Sequence, residues 1–113
     1  PAVSFDAEKG LLEIEGMSRP DNAKEFYIPL VKWVERYSQH PKDKTQVRFY
    51  YTYYNTATAK YILDILRNID NLLYKKGHQV SIQWQYDDDD EDVEMDGHDY
   101  NEMVSVPVEV VAV

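Results

Sequence analysis

The chain has no cysteine among its 113 residues and only four glycines. Without cysteine, disulfides, zinc–thiolate sites and thiol catalysis are excluded. Four glycines are too few for a glycine-rich loop of the kind that holds nucleotide phosphates. No apolar run reaches the length of about eighteen residues that suggests a membrane span. The N-terminus lacks the basic and then apolar pattern of an export signal. We therefore expect a cytoplasmic protein without a membrane segment.

Basic residues are absent from the last third of the chain. All 12 Lys and Arg lie in residues 1–76 together with ten of the 21 acidic residues, and the other eleven acidic residues lie in 77–113. Nucleic-acid binding depends on cations that neutralise phosphates, so this distribution argues against a nucleic-acid partner. A partner of the acidic third is expected to be a basic surface or another protein.

Length and composition predict one globular domain over residues 1–113, because 43% of the residues are hydrophobic. Apolar periodicity and turn residues then predict the elements. The predicted strands are Ala2–Asp6, Leu11–Glu15, Thr45–Tyr54, Gln79–Tyr86 and Val104–Val113. A first helix is expected to follow the capping residues Asp21 and Asn22 and to reach Tyr37, starting late or bending around Pro29. Further helices are predicted over Thr56–Lys76 and, more briefly, Val93–Met103.

The element order is therefore ββαβαβ(α)β, which is typical of an α/β two-layer sandwich with a mixed sheet. Strands that flank a helix are expected to be parallel, and the helices are expected mainly on one face. Thr45–Tyr54 is rich in Val, Phe and Tyr, so we predict a central strand that is largely buried on both faces. Pro107 favours an edge position for the last strand.

Catalytic and metal-binding patterns are not found. His40, His78 and His98 are isolated from one another in the sequence, which is not the spacing of metal ligands. The carboxylates of Asp87–Asp92 are adjacent in the chain and point in different directions, so crowding alone does not make an acid–base pair. We predict no enzyme activity, no cofactor and no resident metal. Asp87–Asp92 remains a possible docking surface for a basic partner or a divalent cation.

The segment Tyr51–Leu66 changes from an aromatic strand into an amphipathic helix at Asn55-Thr56. A hydroxyl at this junction lies beside the free N–H groups of the first helical turn. One interpretation is that Asn55 or Thr56 simply caps the helix. The other is that Thr56 carries a phosphate, which the helix dipole and Lys60 one turn later would stabilise. We expect Tyr54, at the end of the strand, to be partly exposed.

Several segments together resemble the SiaC-type bacterial regulatory phosphoproteins. The matching segments are Glu15–Asn22, Leu30–Tyr37, Tyr54–Lys60 with Ile62–Leu66, Trp84–Asp87 with Asp90–Asp92, and Val106–Glu109. The resemblance implies a STAS-like, anti-anti-sigma-like fold. It also implies phosphorylation of Thr56, with Thr58 as the second candidate. Ala57 stands where relatives commonly have serine, which removes one competing hydroxyl.

The resemblance also implies the partners. A dedicated serine/threonine kinase with a histidine-kinase-like ATPase fold would add the phosphate, and a PP2C-type phosphatase would remove it. The unphosphorylated form would activate a diguanylate cyclase and raise cyclic di-GMP, a signal in biofilm formation. The partner-binding residues expected around the acceptor are Tyr54, Asn55, Thr58, Lys60, Ser18, Arg19 and Asn22. A constitutive acidic adaptor that binds through Asp87–Asp92 is the alternative.

Overall fold

Alternation of apolar and polar side chains produces five strands, which form one mixed sheet. The computed structural model describes residues 1–113. The strands are β1 (Ala2–Asp6), β2 (Leu11–Ser18), β3 (Lys44–Tyr54), β4 (Gln79–Tyr86) and β5 (Val108–Ala112), and they lie side by side in this order. β1 is antiparallel to β2, and every other neighbouring pair is parallel. The predicted mixed sheet is confirmed, as is the edge position of the last strand.

Three helices follow from the apolar spacing and the capping residues. They are α1 (Ala23–Tyr37), α2 (Thr56–Leu72) and α3 (Glu91–Met103), with a single 3₁₀ turn at Tyr74–Lys76. Each begins after a residue whose side-chain oxygen accepts a hydrogen bond from the first turn: Asn22, Asn55 and Asp90. The predicted order of elements is confirmed, and the helix predicted to reach Lys76 ends at Leu72. α1 continues through the exposed Pro29 rather than starting after it.

The helices cover one face of the sheet and enclose the core between them. Tyr27 of α1 stacks on Tyr61 of α2 at 5.7 Å between ring centroids, and Tyr100 of α3 packs on Trp84 of β4 at 5.2 Å. The largest fully buried side chains are Trp84, Tyr27, Tyr51, Phe49, Leu12, Ile14, Ile62, Ile65, Leu66, Ile69, Leu73 and Ile82. Burial of this apolar surface is the main stabilising contribution to the fold.

The prediction that the central strand is buried on both faces was wrong. Residues at alternate positions of β3 are buried, and those between them are exposed or half-buried. Arg48 lies on the uncovered face, where its guanidinium is 2.7 Å from Glu13 and 3.1 Å from Glu15. The two carboxylates raise the pKa of Arg48, although partial burial opposes them. No helix covers this face, so a row of paired polar side chains replaces a second apolar layer.

Two predicted boundaries also differ from the structure. β2 continues past its predicted end at Glu15 and reaches Ser18. The register of β2 against β3 shifts after Gly16, whose φ of 105° is accessible to glycine. Val104–Pro107 is not part of the last strand. It connects α3 to β5, and the N–H groups of Ser105 and Val106 both donate to the buried carboxylate of Asp70 at 2.9 Å.

None of the helices combines the length and the apolar character that crossing a bilayer requires.

Candidate functional site

The candidate site lies where the carboxyl ends of β2 and β3 meet the start of α2. Parallel strands bring their carboxyl ends to the same edge of a sheet, and sites in α/β folds commonly lie at that edge. Ser18 is paired with Tyr54 at the ends of the two strands. The backbone N–H of Asn55 donates to the carbonyl of Ser18 at 3.2 Å. This pairing fixes the position at which α2 begins.

The sequence left open whether Asn55 or Thr56 caps the helix, and the structure distinguishes the two residues. Asn55 is the cap, because its Oδ1 accepts hydrogen bonds from the N–H of Thr58 at 2.9 Å and from the hydroxyl of Thr58 at 2.7 Å. Thr56 is the first residue of the helix and is exposed. No hydrogen bond within the protein involves its side chain. Its hydroxyl is therefore available to an enzyme from outside.

Thr58 has the opposite surroundings. Its side chain is 0% exposed, as is that of Ser18, and the two hydroxyl oxygens are 2.9 Å apart. Ser18 Oγ lies 2.5 Å from the hydroxyl of Tyr27, which is 3.2 Å from the hydroxyl of Tyr51. These hydroxyls form a buried hydrogen-bonded chain that joins β2, α1, β3 and α2 beneath Thr56. Ser18 and Thr58, which were expected on the partner surface, therefore lie inside the protein in this conformation.

The other predicted partner residues lie around the edge of the site. Arg19 is exposed and places its guanidinium 5.5 Å from the ring centroid of Tyr53. Lys60 is exposed one turn after Thr56, with its ammonium 5.1 Å from the ring of Tyr61. Asn22 is exposed, but its side chain caps α1 by accepting from the N–H of Glu25 at 3.3 Å. Two cations therefore flank the strand end and the helix start without an ion pair to any carboxylate.

A cavity of about 280 Å³ separates the start of α2 from α3. Its lining contains the site residues from β3 and α2 together with four residues from α3. The lining residues are Tyr54, Asn55, Thr56, Ala59, Asp96, Asp99, Tyr100 and Met103. Sequence reasoning missed the residues of α3, because they lie about 40 positions from Thr56 in the chain. The spacing of Asp92, Asp96, Asp99 and Met103 by three and four was the available signal, since it places them on one helical face.

Two tyrosines of this cavity are held in the protonated state. Burial, together with the hydrogen bond to Asp96, raises the pKa of Tyr54 far above its usual value. Burial raises the pKa of Tyr100 to about 12, and the nearby Asp96 and Asp99 add to this effect. The hydroxyl of Tyr100 donates to the carbonyl of Ala59 at 3.3 Å. Both tyrosines therefore act as hydrogen-bond donors that tie α3 to β3 and α2. Tyr54 is half-buried, as its position predicted.

The acidic segment Asp87–Asp92 is used in part by the fold itself. Asp87 accepts a hydrogen bond from Tyr50, and Asp90 caps α3 by accepting from the N–H of Val93 at 3.1 Å. Asp88 and Asp89 lie in an exposed turn. No group of three or more His, Asp or Glu side chains is arranged to hold a metal ion. The carboxylates left for an external partner are fewer than the sequence suggests.

Comparison with known proteins gives consistent similarities over the whole chain. A family model described as "SiaC family regulatory phosphoprotein" matches residues 1–113. An uncharacterised protein of Pseudomonas aeruginosa strain UCBPP-PA14 is 30% identical over 112 residues, which is 99% of this chain and 88% of that protein.

Solved structures show the same similarity. SiaC from Pseudomonas aeruginosa, in a crystal structure with the diguanylate cyclase SiaD whose activator it is, superimposes with a TM-score of 0.92 at 29% identity, covering 100% of this chain and 92% of that chain. The apo form of SiaC from the same organism gives a TM-score of 0.89 at 28% identity, covering 99% and 90%.

Proposed function

Because this chain belongs to the SiaC family of regulatory phosphoproteins, we propose that it is a non-enzymatic regulator whose choice of partner depends on phosphorylation of Thr56. One observation carries this proposal. Thr56 is an exposed hydroxyl at the first position of α2, and Asn55 performs the capping, so the threonine has no structural task of its own. Thr58 is a poor alternative, because its hydroxyl is buried and already donates to Asn55.

The proposed modification is an ordinary phosphoryl transfer from ATP bound to a partner kinase. The hydroxyl oxygen of Thr56 forms a bond to the γ-phosphorus as the bond between that phosphorus and the β–γ bridging oxygen breaks. ADP leaves, and a base on the kinase takes the hydroxyl proton. A PP2C-type phosphatase would reverse the state by hydrolysing the phosphate ester with water. The kinase, with a histidine-kinase-like ATPase fold, and the phosphatase are proposed from the family resemblance.

A phosphate on Thr56 would change the recognition surface strongly. It adds about two negative charges at neutral pH and three acceptor oxygens. The N–H groups at the start of α2 and the ammonium of Lys60 one turn later would interact favourably with it. The same surface carries exposed apolar side chains that a partner could cover, Met17 at 52%, Tyr53 at 46% and Met103 at 53% exposed. Desolvating a phosphate against such side chains would be costly.

We further propose that the unphosphorylated form binds and activates a diguanylate cyclase. Support comes from the structure of SiaC with SiaD, in which a protein of this fold is the activator of such an enzyme. In this proposal the partner covers the surface around Thr56, so that phosphorylation prevents binding. The expected consequence is a fall in cyclic di-GMP when the kinase is active.

The test combines mapping of the phosphate with binding measurements. Intact mass and phosphosite mapping of the protein from its own cells should find one phosphate, on Thr56. Thr56→Val should abolish it, whereas Thr52→Val, at another exposed threonine near the site, should not. Thr56→Asp should reduce cyclase binding at least tenfold with an unchanged thermal midpoint. Phosphate on Thr58, or unchanged binding by Thr56→Asp, would overturn the proposal.

The same assay separates the adaptor alternative. If the acidic segment bound the partner, replacing its exposed carboxylates by the corresponding amides would abolish binding, and Thr56→Asp would have no effect. The exposed carboxylates of the segment are Asp88, Asp89, Glu91 and Asp92. We expect the reverse pattern, because Asp87 and Asp90 are engaged within the fold.

A further inference from the structure

We propose that α3 is the element that responds to the phosphate: a phosphate on Thr56 repels Asp96 and Asp99 across the cavity and loosens α3 from the sheet. This inference rests on the proposed function, in that Thr56 is taken as the phosphorylated residue. In this inference the phosphate changes the conformation of the protein as well as its local charge.

The charges around the cavity are the first argument. The lining contains Thr56 on one side and Asp96 and Asp99 on the other, and no lysine or arginine. α3 carries six acidic residues over Glu91–Met103 and no Lys or Arg. A phosphate would therefore face like charges in the unmodified arrangement, and like charges that line the same cavity repel one another. Lys60, on α2 itself, can attract the phosphate without relieving the repulsion from α3.

The attachment of α3 is the second argument. Its middle is held to the sheet by hydrogen bonds from Tyr54 to Asp96 and from Tyr86 to Glu94, the latter at 3.1 Å. The indole N–H of Trp84 donates to the carbonyl of Val93 at 2.8 Å. Tyr54 and Asp96 both line the cavity, so the hydrogen bond nearest to the phosphate is also one that holds the helix.

The ends of α3 are fixed independently of the cavity. Asp90 caps the first turn, and Asn101 accepts a hydrogen bond from the N–H of Val108 at 2.8 Å. The connection that follows is anchored on Asp70. Repulsion at Asp96 and Asp99 would therefore act on the middle of the helix, where Gly97 lies against Trp84. Loosening there would expose the Trp84 ring and alter the surface beside Thr56.

The experiment places phosphothreonine at position 56 by genetic encoding, so that it does not depend on finding the kinase. Hydrogen exchange of the full chain is measured with and without the phosphate. We expect amides of α3 to exchange at least tenfold faster in the phosphorylated protein, while amides of α1 stay unchanged. The indole N–H resonance of Trp84 should shift and exchange faster, and that of Trp33 on α1 serves as the internal reference.

A charge-neutralised variant tests the cause. Asp96→Asn with Asp99→Asn keeps the size of both side chains and an acceptor for Tyr54. In this variant the phosphate should accelerate exchange of α3 less than threefold. The matched control Asp88→Asn with Asp89→Asn removes the same charge outside the cavity and should retain the full effect.

The outcomes separate this inference from the proposed function. Unchanged exchange of α3 with phosphate on Thr56 would overturn the inference, and so would an equal acceleration in both double variants. If phosphorylation abolished cyclase binding together with either of these exchange results, the proposed function would still stand. Accelerated exchange of α3 with intact cyclase binding would support the inference and overturn the proposed function.

Discussion

Thr56 and Thr58 lie two positions apart in the chain and have opposite surroundings. The first is an exposed residue at the start of α2, and the second is 0% exposed and hydrogen-bonded to both Asn55 and Ser18. Successive residues of a helix differ in direction by about 100°, so two residues of one turn can point to solvent and to the core. Burial therefore distinguishes two hydroxyls that the sequence alone does not.

The buried hydroxyl chain predicts the effect of Ser18→Ala. Removing Ser18 Oγ takes one partner from Thr58 and one from Tyr27, although each retains another. We expect a loss of about 1–2 kcal/mol in the free energy of unfolding, the usual effect of breaking a buried hydrogen bond. Urea denaturation measures it. The exposed Ser4→Ala should change stability by less than about 0.5 kcal/mol. Equal effects of the two substitutions would show that the chain does not stabilise the fold.

Sequence reasoning placed the capped start of α2 correctly at Asn55-Thr56, because capping follows from local residue types, but it left open which of the two residues is the cap. It did not place Ser18 and Thr58 in the interior. Ser and Thr are usually exposed, and burial of these two depends on Tyr27 and Tyr51, which arrive from other elements. The hydrogen bond between Ser18 and Thr58 therefore exists only in the tertiary structure.

At the scale of elements, α3 differs from the other helices. Its apolar face is small, and it contacts the sheet through a glycine: a Cβ on Gly97 would lie 2.4 Å from Cδ1 of Trp84. Glycine here permits the close approach of the helix to the tryptophan ring.

This close approach predicts the sign of Gly97→Ala. In an exposed helix interior, alanine is more favourable than glycine by about 1 kcal/mol. Here the added methyl group would push α3 away from Trp84, and we expect a net loss of about 1–3 kcal/mol, as for other overpacked sites. Denaturation by urea is again the measurement, with the exposed neighbour His98→Ala as the control. A variant as stable as the parent protein would mean that α3 tolerates displacement without cost.

Some properties of the sheet follow from the sequence pattern of strands and helices, and others do not. The parallel pairing of strands that flank a helix was predicted from the alternation of strands and helices, and the edge position of the last strand was predicted from Pro107. The bare face of β3 was not predicted, since Tyr50 belongs to an aromatic run that resembles a buried strand and Arg48 is the one charged residue beside it. Their partners Glu13, Glu15 and Asp87 come from other parts of the chain.

At the scale of the whole molecule, buried tyrosines make stability sensitive to alkali. Burial raises the pKa of Tyr51 and of Tyr54 well above the ordinary value, and that of Tyr100 to about 12. A raised pKa in the folded state means that the folded protein retains its protons where the unfolded chain loses them. The stabilising contribution is thus complete below about pH 10, the value for an unfolded tyrosine, and is lost above it.

We therefore expect the free energy of unfolding to fall steeply between about pH 10 and pH 12, with cooperative unfolding rather than gradual ionisation. Urea denaturation at a series of pH values, followed with tyrosinate absorbance, measures this dependence. Tyr54→Phe, which removes one of the shifted groups, should make the pH dependence less steep. A free energy of unfolding that is constant over this range, or an unaltered slope in Tyr54→Phe, would contradict it.

The location of the acidic last third of the chain is also a property of the whole molecule. Sequence shows that residues 77–113 have no Lys or Arg. The fold places one part of that charge, on α3, beside Thr56, while Asp70, from the more basic first part of the chain, anchors the connection after α3. The nearness of Thr56 to Asp96 and Asp99 cannot be derived from composition.

The sequence by itself determined the order of strands and helices, the capped helix start at Asn55-Thr56 and the family to which the chain belongs. These properties depend on local residue types, on periodicity and on segments that match in order. The tertiary structure decided which threonine is exposed, which face of the sheet stays bare and which carboxylates line the cavity beside Thr56. Each of these depends on contacts between residues about 35–45 positions apart, and such contacts exist only once the sheet and its three helices have packed together.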